Sequence, residues 1–144
     1  MKVREILNRK GDAVATVAPG DSVAQAVRRL AQHGVGALVV SENETTIDGI
    51  ISERDVVRAI EKRGPDILDE SIRSNMTADV HTCGLDDHID QLMRTMTDQR
   101  IRHLPVVDEA DGLVGIISIG DVVKRRMDEL ENENRQLNDY ITGR

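Results

Sequence analysis

Apolar residues along this chain fall into short runs and helical stripes whose order is stated twice. Residues 14–17, Val-Ala-Thr-Val, form a first extended run. Pro19-Gly20 turns the chain, and Asp21 or Ser22 caps a helix whose apolar face is Val23, Ala26, Val27 and Leu30, spaced by three and four. Gly34 ends that helix, Ala37-Leu38-Val39-Val40 reads as a buried strand, 42–45 as a polar turn and 47–51 as a second strand. Ser52 opens another helix with Val56, Val57 and Ile60 facing inward, and Gly64-Pro65 stops it. The succession then recurs. An extended run lies at 80–83, and a helix begins at Asp87 with Ile89, Leu92, Met93 and Met96 on one face. Strands follow at 104–107 and 113–117, and a last helix opens at Ser118. Pro105 has no N–H to give a ladder, so its strand is expected at a sheet edge or to start there. Before the first copy, Val3 to Leu7 forms a short amphipathic turn or helix. Between the copies, 66–77 is a connection with a helical piece around 68–72.

The recurrence has a fixed step. Adding 66 to each position from Val14 to Arg58 gives its counterpart without a gap, and fourteen of the 45 pairs are identical. The longest shared phrase is Gly49-Ile50-Ile51-Ser52 with Asp55-Val56-Val57, matched by Gly115-Ile116-Ile117-Ser118 with Asp121-Val122-Val123. One strand–helix–strand–strand–helix unit is duplicated, and each unit alone is too small to bury its sheet. The expected fold is mixed α+β (α/β), two sheets facing each other across a pseudo-two-fold axis. The segments divide as a lead-in at 1–13, a first repeat at 14–63, a connection at 64–78, a second repeat at 79–126 and a helical tail at 127–144.

Composition narrows the partners. The chain has no Phe, no Trp and one Tyr, so its core is aliphatic, and its formal net charge is −7. That field repels polyanions, and the bases of a single strand find no aromatic platform, which argues against nucleic acid. A single cysteine, Cys83, leaves no internal disulfide framework. Residues 1–11 are polar with no apolar leader, and no apolar run is long enough to span a bilayer. A cytoplasmic protein free of the membrane is the expectation.

The repeated Ser-x-x-Asp has two readings built on the same physics. In one, Ser52 and Ser118 cap the helices that follow, and Asp55 and Asp121 sit in the first turn at the positive end of the helix dipole. In the other, the helix start and the Ser hydroxyl face a phosphate, and the Asp carboxylate accepts from the vicinal hydroxyls of a ribose. An aliphatic groove beside the strand would then hold a base. Capping and binding are compatible.

The two phrases, together with Arg102-His103-Leu104-Pro105-Val106-Val107-Asp108, resemble a tandem of cystathionine-β-synthase (CBS) domains, and the resemblance runs from about Val3 to Met127. It implies a disc-like regulatory module, usually a homodimer, sometimes a tetramer, that binds adenosine-bearing ligands between its halves and acts on a further protein. AMP is the expected ligand; ADP, ATP, NAD(H) and S-adenosylmethionine are alternatives. By this resemblance one site holds Ser118, Asp121 and Ile116 with Ala13, Ala15, Val35, Gly36 and Ala37. A second holds Ser52, Asp55, Ile50 and Arg54 with Asp79, His81, Ile101, Arg102 and His103. Arg102 and His103 stand where the first copy has Gly36 and Ala37, and they are the strongest phosphate partners in the chain. Although the resemblance sets them beside Asp55, they are favoured for the Asp121 site as the main one; Lys10, Arg54, Arg58 and Lys124 are secondary cations.

Other residues suggest less. His81, Cys83 and His88 lack the paired spacing of a zinc site, so no metal is expected. Cys83 has no positioned base and reads as an inert half-buried thiol. No general acid and base flank the Ser-Asp pair, which argues for a binding module over an enzyme acting on nucleotides. A structural dimerisation module with vestigial sites is the other reading. In the tail, Val123, Met127, Leu130, Asn134, Leu137 and Ile141 alternate by four and three. That is a heptad seam for a coiled coil, or one face of a helix lying on its own domain.

Overall fold

The Ser, Thr and Gly punctuation and the period of the apolar residues mark out the elements observed. A computed structural model describes residues 1–143. In order these are α1 (Val3–Lys10), β1 (Thr16–Val17), α2 (Val23–His33), β2 (Ala37–Val40), β3 (Gly49–Ser52) and α3 (Glu53–Arg63). Then come two 3₁₀ turns (Pro65–Asp69 and Ile72–Ser74), β4 (Cys83–Gly84), α4 (Ile89–Gln99), β5 (His103–Val107), β6 (Leu113–Ser118) and α5 (Ile119–Thr142). The 66-residue step holds for both middle helices at both ends. Two three-stranded sheets result, in the orders β1-β2-β3 and β4-β5-β6. In each, the first pair is parallel and the second antiparallel. Among the described residues no helix is long and apolar enough to cross a membrane.

Each sheet buries one face under its own helices. The first core gathers Val17, Val23, Ala26, Leu30, Leu38, Val40, Ile51 and Val56; the second gathers Cys83, Ile89, Leu92, Met96, Leu104, Val106, Ile117 and Val122. Val39 is fully buried yet belongs to neither core. The period of two along a strand puts it on the opposite face of its sheet, and Pro105 is its buried counterpart. The halves meet on those faces.

The cores do not follow the linear division of the chain. Val3, Ile6 and Leu7 of α1 pack into the second core, whereas Ile67 and Ile72 of the 3₁₀ turns pack into the first. Each buried aliphatic side chain of this kind stabilises its core by about 1.5–3 kcal/mol. Backbone bonds repeat the exchange. Ile72 N donates to Asp21 O at 2.8 Å and Arg73 N to Pro19 O at 3.0 Å; Val3 N donates to Asp87 O and Arg4 N to Leu85 O, both at 2.9 Å. The acceptors differ by 66 and the donors by 69. The first lead-in is therefore three residues longer, and α1 accommodates them as an added helical turn ending at Lys10.

The position of Pro105 corrects an expectation. β5 is the central strand of its sheet. In the first half Val39 N donates to Ala15 O at 3.3 Å. Pro105 occupies the place of Val39 and cannot make the equivalent bond to residue 81. β4 pairs only at Val106 and Val107, so the ladder starts beyond the proline and the strand before it is released from the sheet.

Candidate functional site

Both repeated phrases end in reciprocal caps. Ser52 Oγ accepts from Asp55 N at 3.2 Å while Asp55 Oδ2 accepts from Ser52 N at 2.9 Å. Ser118 Oγ accepts from Asp121 N at 3.1 Å while Asp121 Oδ2 accepts from Ser118 N at 2.8 Å. Capping is therefore real at both sites, and in each it engages one carboxylate oxygen. Asp55 Oδ1 meets no protein donor among the described residues.

The N-termini of α3 and α5 open on one cavity of about 640 Å³ between the halves, well inside the range of small-molecule sites. From the first half it takes Gly36, Ala37, Ile50, Ser52, Glu53, Arg54, Asp55 and Arg58. From the released strand it takes Thr77, Asp79, Val80 and His81, and from the second half Gln99, Arg100, Ile101, Arg102, His103, Ser118, Ile119 and Gly120. Four arginines face three carboxylates here, in a chain whose net charge is −7. Positive charge is thus concentrated where two helix dipoles add to it. Ile50, Ile101 and Val80 supply an aliphatic wall. Ile50 is held in place by paired backbone bonds with Thr77, both at 2.9 Å, which lead the chain on to Asp79 and His81.

Arg102 and His103 are expected in the Asp55 site by resemblance and favoured for the Asp121 site. Arg102 and His103 line the cavity headed by Asp55, with Asp79, His81, Ile101 and Arg54; Asp121 is not among its lining residues. His103 stands on the border. A Cβ at Gly36 would lie 3.2 Å from its imidazole Cε1, so Gly36 makes room for the ring. Burial lowers the His103 pKa below its ordinary 6.5, and Lys10 and Arg102 lower it further, against opposing pulls from Asp121 and Glu53.

The Asp121 side is closed from within. Lys10 Nζ donates to Asp121 Oδ2 at 2.6 Å and to Ile116 O at 2.9 Å. The added turn of α1 delivers that ammonium. Burial alone would raise the Asp121 pKa, but the Lys10 and Ser118 hydrogen bonds outweigh it and hold the carboxyl below 3.8. Ala13 and Val35 are exposed, and Ala15 is half-buried with its carbonyl committed to Val39; none of the three lines the cavity.

Arg100 and Gln99 were missed by sequence reasoning, although one signal was there. Arg100 stands 66 positions after Gly34, and both adopt the left-handed helical conformation, with φ of 54° and 62°. A glycine fits there freely, whereas an arginine is strained. Such a breach of local preference marks a place where something else is selected.

His81, Cys83 and His88 do not converge. His81 lines the cavity, and His88 precedes α4, its backbone N–H donating to Gln91. Cys83 is buried in the second core, where burial, and then the Asp87 carboxylate, push its thiol up to about 12. Among the described residues no three His, Cys, Asp or Glu side chains group as metal ligands.

Duplicated units with exchanged lead-ins and a polar cleft between two helix N-termini define a tandem-domain architecture. Comparison agrees: the CBS-domain model matches residues 3–62 and again 70–128. The chain belongs to the CBS-domain family, as a CBS pair. A CBS-domain-containing protein of Agrobacterium tumefaciens superposes with a TM-score of 0.83 at 42% identity, over 88% of this chain and 99% of that one. A CBS-domain protein of Pyrobaculum aerophilum complexed with AMP superposes at 0.75 with 25% identity, over 84% and 89%. The CBS pair of protein MJ0100, complexed with 5′-methylthioadenosine and S-adenosyl-L-methionine, superposes at 0.76 with 25% identity, over 86% and 98%. The mitochondrial CBS domain-containing protein CBSX3 of Arabidopsis thaliana is 39% identical over 85% of this chain, which spans 61% of that protein.

Proposed function

We propose that this chain is a non-catalytic regulatory module that binds an adenine nucleotide, with AMP the expected ligand, in the cavity headed by Asp55. The observation that carries the reading is the convergence of the Ser52–Asp55 cap, an aliphatic wall and four arginines on one cleft between the halves. Asp55 Oδ1 accepts from the ribose hydroxyls. Ile50, Val80 and Ile101 flank the adenine, and the helix N-termini with Arg102 and Arg54 meet the phosphate. The AMP and S-adenosylmethionine complexes of related CBS pairs support an adenosine-bearing ligand. The ligand touches both halves, so it favours the arrangement in which they are closest and shifts that population.

The test is thermal denaturation of the whole chain with AMP, ADP, ATP, NAD(H) and S-adenosylmethionine. A ligand bound only by the folded state raises Tm as its concentration rises, and AMP is expected to do so. If no adenosine compound moves Tm at millimolar concentration, the sensor reading fails, leaving a dimerisation module with vestigial sites.

A further inference from the structure

α5 runs well past the body of the protein. Every residue from Glu131 to Gly143 is exposed, so the tail does not lie on its own domain. Its seam nevertheless stays apolar: Val123, Met127, Leu130, Leu137 and Ile141 range from 44% exposed at Leu130 to 71% at Ile141. The steps of four and three put Met127, Asn134 and Ile141 at the first core position of successive heptads and Val123, Leu130 and Leu137 at the fourth. The seam is about 27 Å long at 1.5 Å per residue.

We infer that this seam pairs in parallel with the same seam of a second copy of the chain, forming a two-stranded coiled coil. The flanking charges decide the direction. In parallel register the residue before each first core position meets the partner residue five positions further on. Arg126 then faces Glu131 of the second copy, twice by symmetry, and Asn134 faces Asn134, the polar pairing that favours two strands in register. An antiparallel pairing that keeps all six seam residues in contact sets Leu130 against Asn134. It also brings Glu131 against Glu131 and Glu133 against Glu133, like charges at the rim of an apolar seam. Arg126 already holds Glu129 on its own helix at 3.1 Å through Nη1, and the rest of its guanidinium is free to reach across. At its other end, α5 is capped by Ser118, a wall of the cavity.

The test uses the whole chain with Asn134→Cys, the native Cys83 being buried. Mild oxidation at micromolar concentration is expected to yield a covalent dimer through position 134. Mixing separate Asn134→Cys and Leu130→Cys chains should give little of the mixed dimer. Arg126→Glu is expected to slow cross-linking at limiting concentration by about fivefold or more, and adding Glu131→Arg should restore it. Three results would overturn the inference: no cross-link at 134 while circular dichroism shows the helix intact, as for a dimer joined only through the bodies; a dominant 130–134 cross-link; or cross-linking indifferent to the charge reversal.

Discussion

The Lys10 ammonium sits 2.6 Å from the Asp121 carboxylate and shares its protons with the Ile116 carbonyl. Among the described residues Asp55 has no such cation partner, so the two aspartates of a duplicated protein are unequal. Lys10→Ala is expected to raise nucleotide stoichiometry, measured by calorimetry, from one to two per chain. A stoichiometry fixed at one would show that something other than Lys10 closes that side.

Asp55 caps α3 and, in the proposed function, also accepts from a ribose; one substitution separates the two in size. Asp55→Ala removes half of a reciprocal cap, which costs about 1 kcal/mol of stability. It is expected to weaken AMP binding at least about tenfold, since the ribose hydroxyls lose the carboxylate at the start of α3. Ser52→Ala should cost about the same stability with a smaller loss of affinity. Thermal denaturation and titration calorimetry on the two variants read both effects.

His103 is expected to link binding to pH. Its pKa in the folded chain lies below the 6.5 of the unfolded one, chiefly through burial. As the pH falls through 6.5 the unfolded state takes up protons first, so this residue's contribution to stability is present above that value and declines below it. A bound phosphate brings negative charge to the ring and raises its pKa, so the complex holds a proton that the free protein lacks. Affinity for a phosphate-bearing ligand is therefore expected to rise as the pH drops from 7.5 to about 6, with proton uptake visible as a buffer-dependent enthalpy. His103→Gln should flatten the dependence.

Gly49 and Gly115 are equivalent in sequence but not in what surrounds them. A Cβ at Gly49 would lie 2.8 Å from the Thr77 carbonyl oxygen, which is backbone, whereas one at Gly115 would meet the end of the Leu7 side chain at 2.7 Å. Leu7 can turn aside; the strand cannot. Gly49→Ala is expected to destabilise by about 1–3 kcal/mol and also to weaken nucleotide binding, because Thr77 holds the segment that carries Asp79 and His81. Gly115→Ala should cost less and leave binding unchanged. Chemical denaturation and calorimetry distinguish them.

The strand–helix order and both caps were legible in the sequence because local signals set them: period, capping residue and turn glycine; the apolar faces were legible only in part, since Val57, expected to face inward, is 65% exposed. The grouping of site residues stays open in the sequence, Arg102 and His103 being assigned by resemblance to Asp55 and by preference to Asp121. Arg102 and His103 replace Gly36 and Ala37 in the aligned copies, but the alignment cannot say which cleft a side chain enters, since that depends on how the halves meet. Lys10 was legible as a cation near the site. Its role came from a three-residue difference between lead-ins whose sequences share no motif. Pro105 was misplaced by a rule about strands that assumes full-length neighbours, and β4 is only two residues long.

The exchange of lead-ins also fixes a schedule for synthesis. α1 is the first helix made, yet Val3 and Ile6 have no core to enter until Leu104, Ile117 and Val122 have been added. The first sheet, likewise, waits for Ile67 and Ile72. On an emerging chain the first half can complete its core once Ile72 is made, whereas the second must recover a helix from the far end of the chain, and pairing across such a long sequence separation is slow. The N-terminal helix is thus expected to dock last, completing the second half, and its arrival is what sets Lys10 against Asp121.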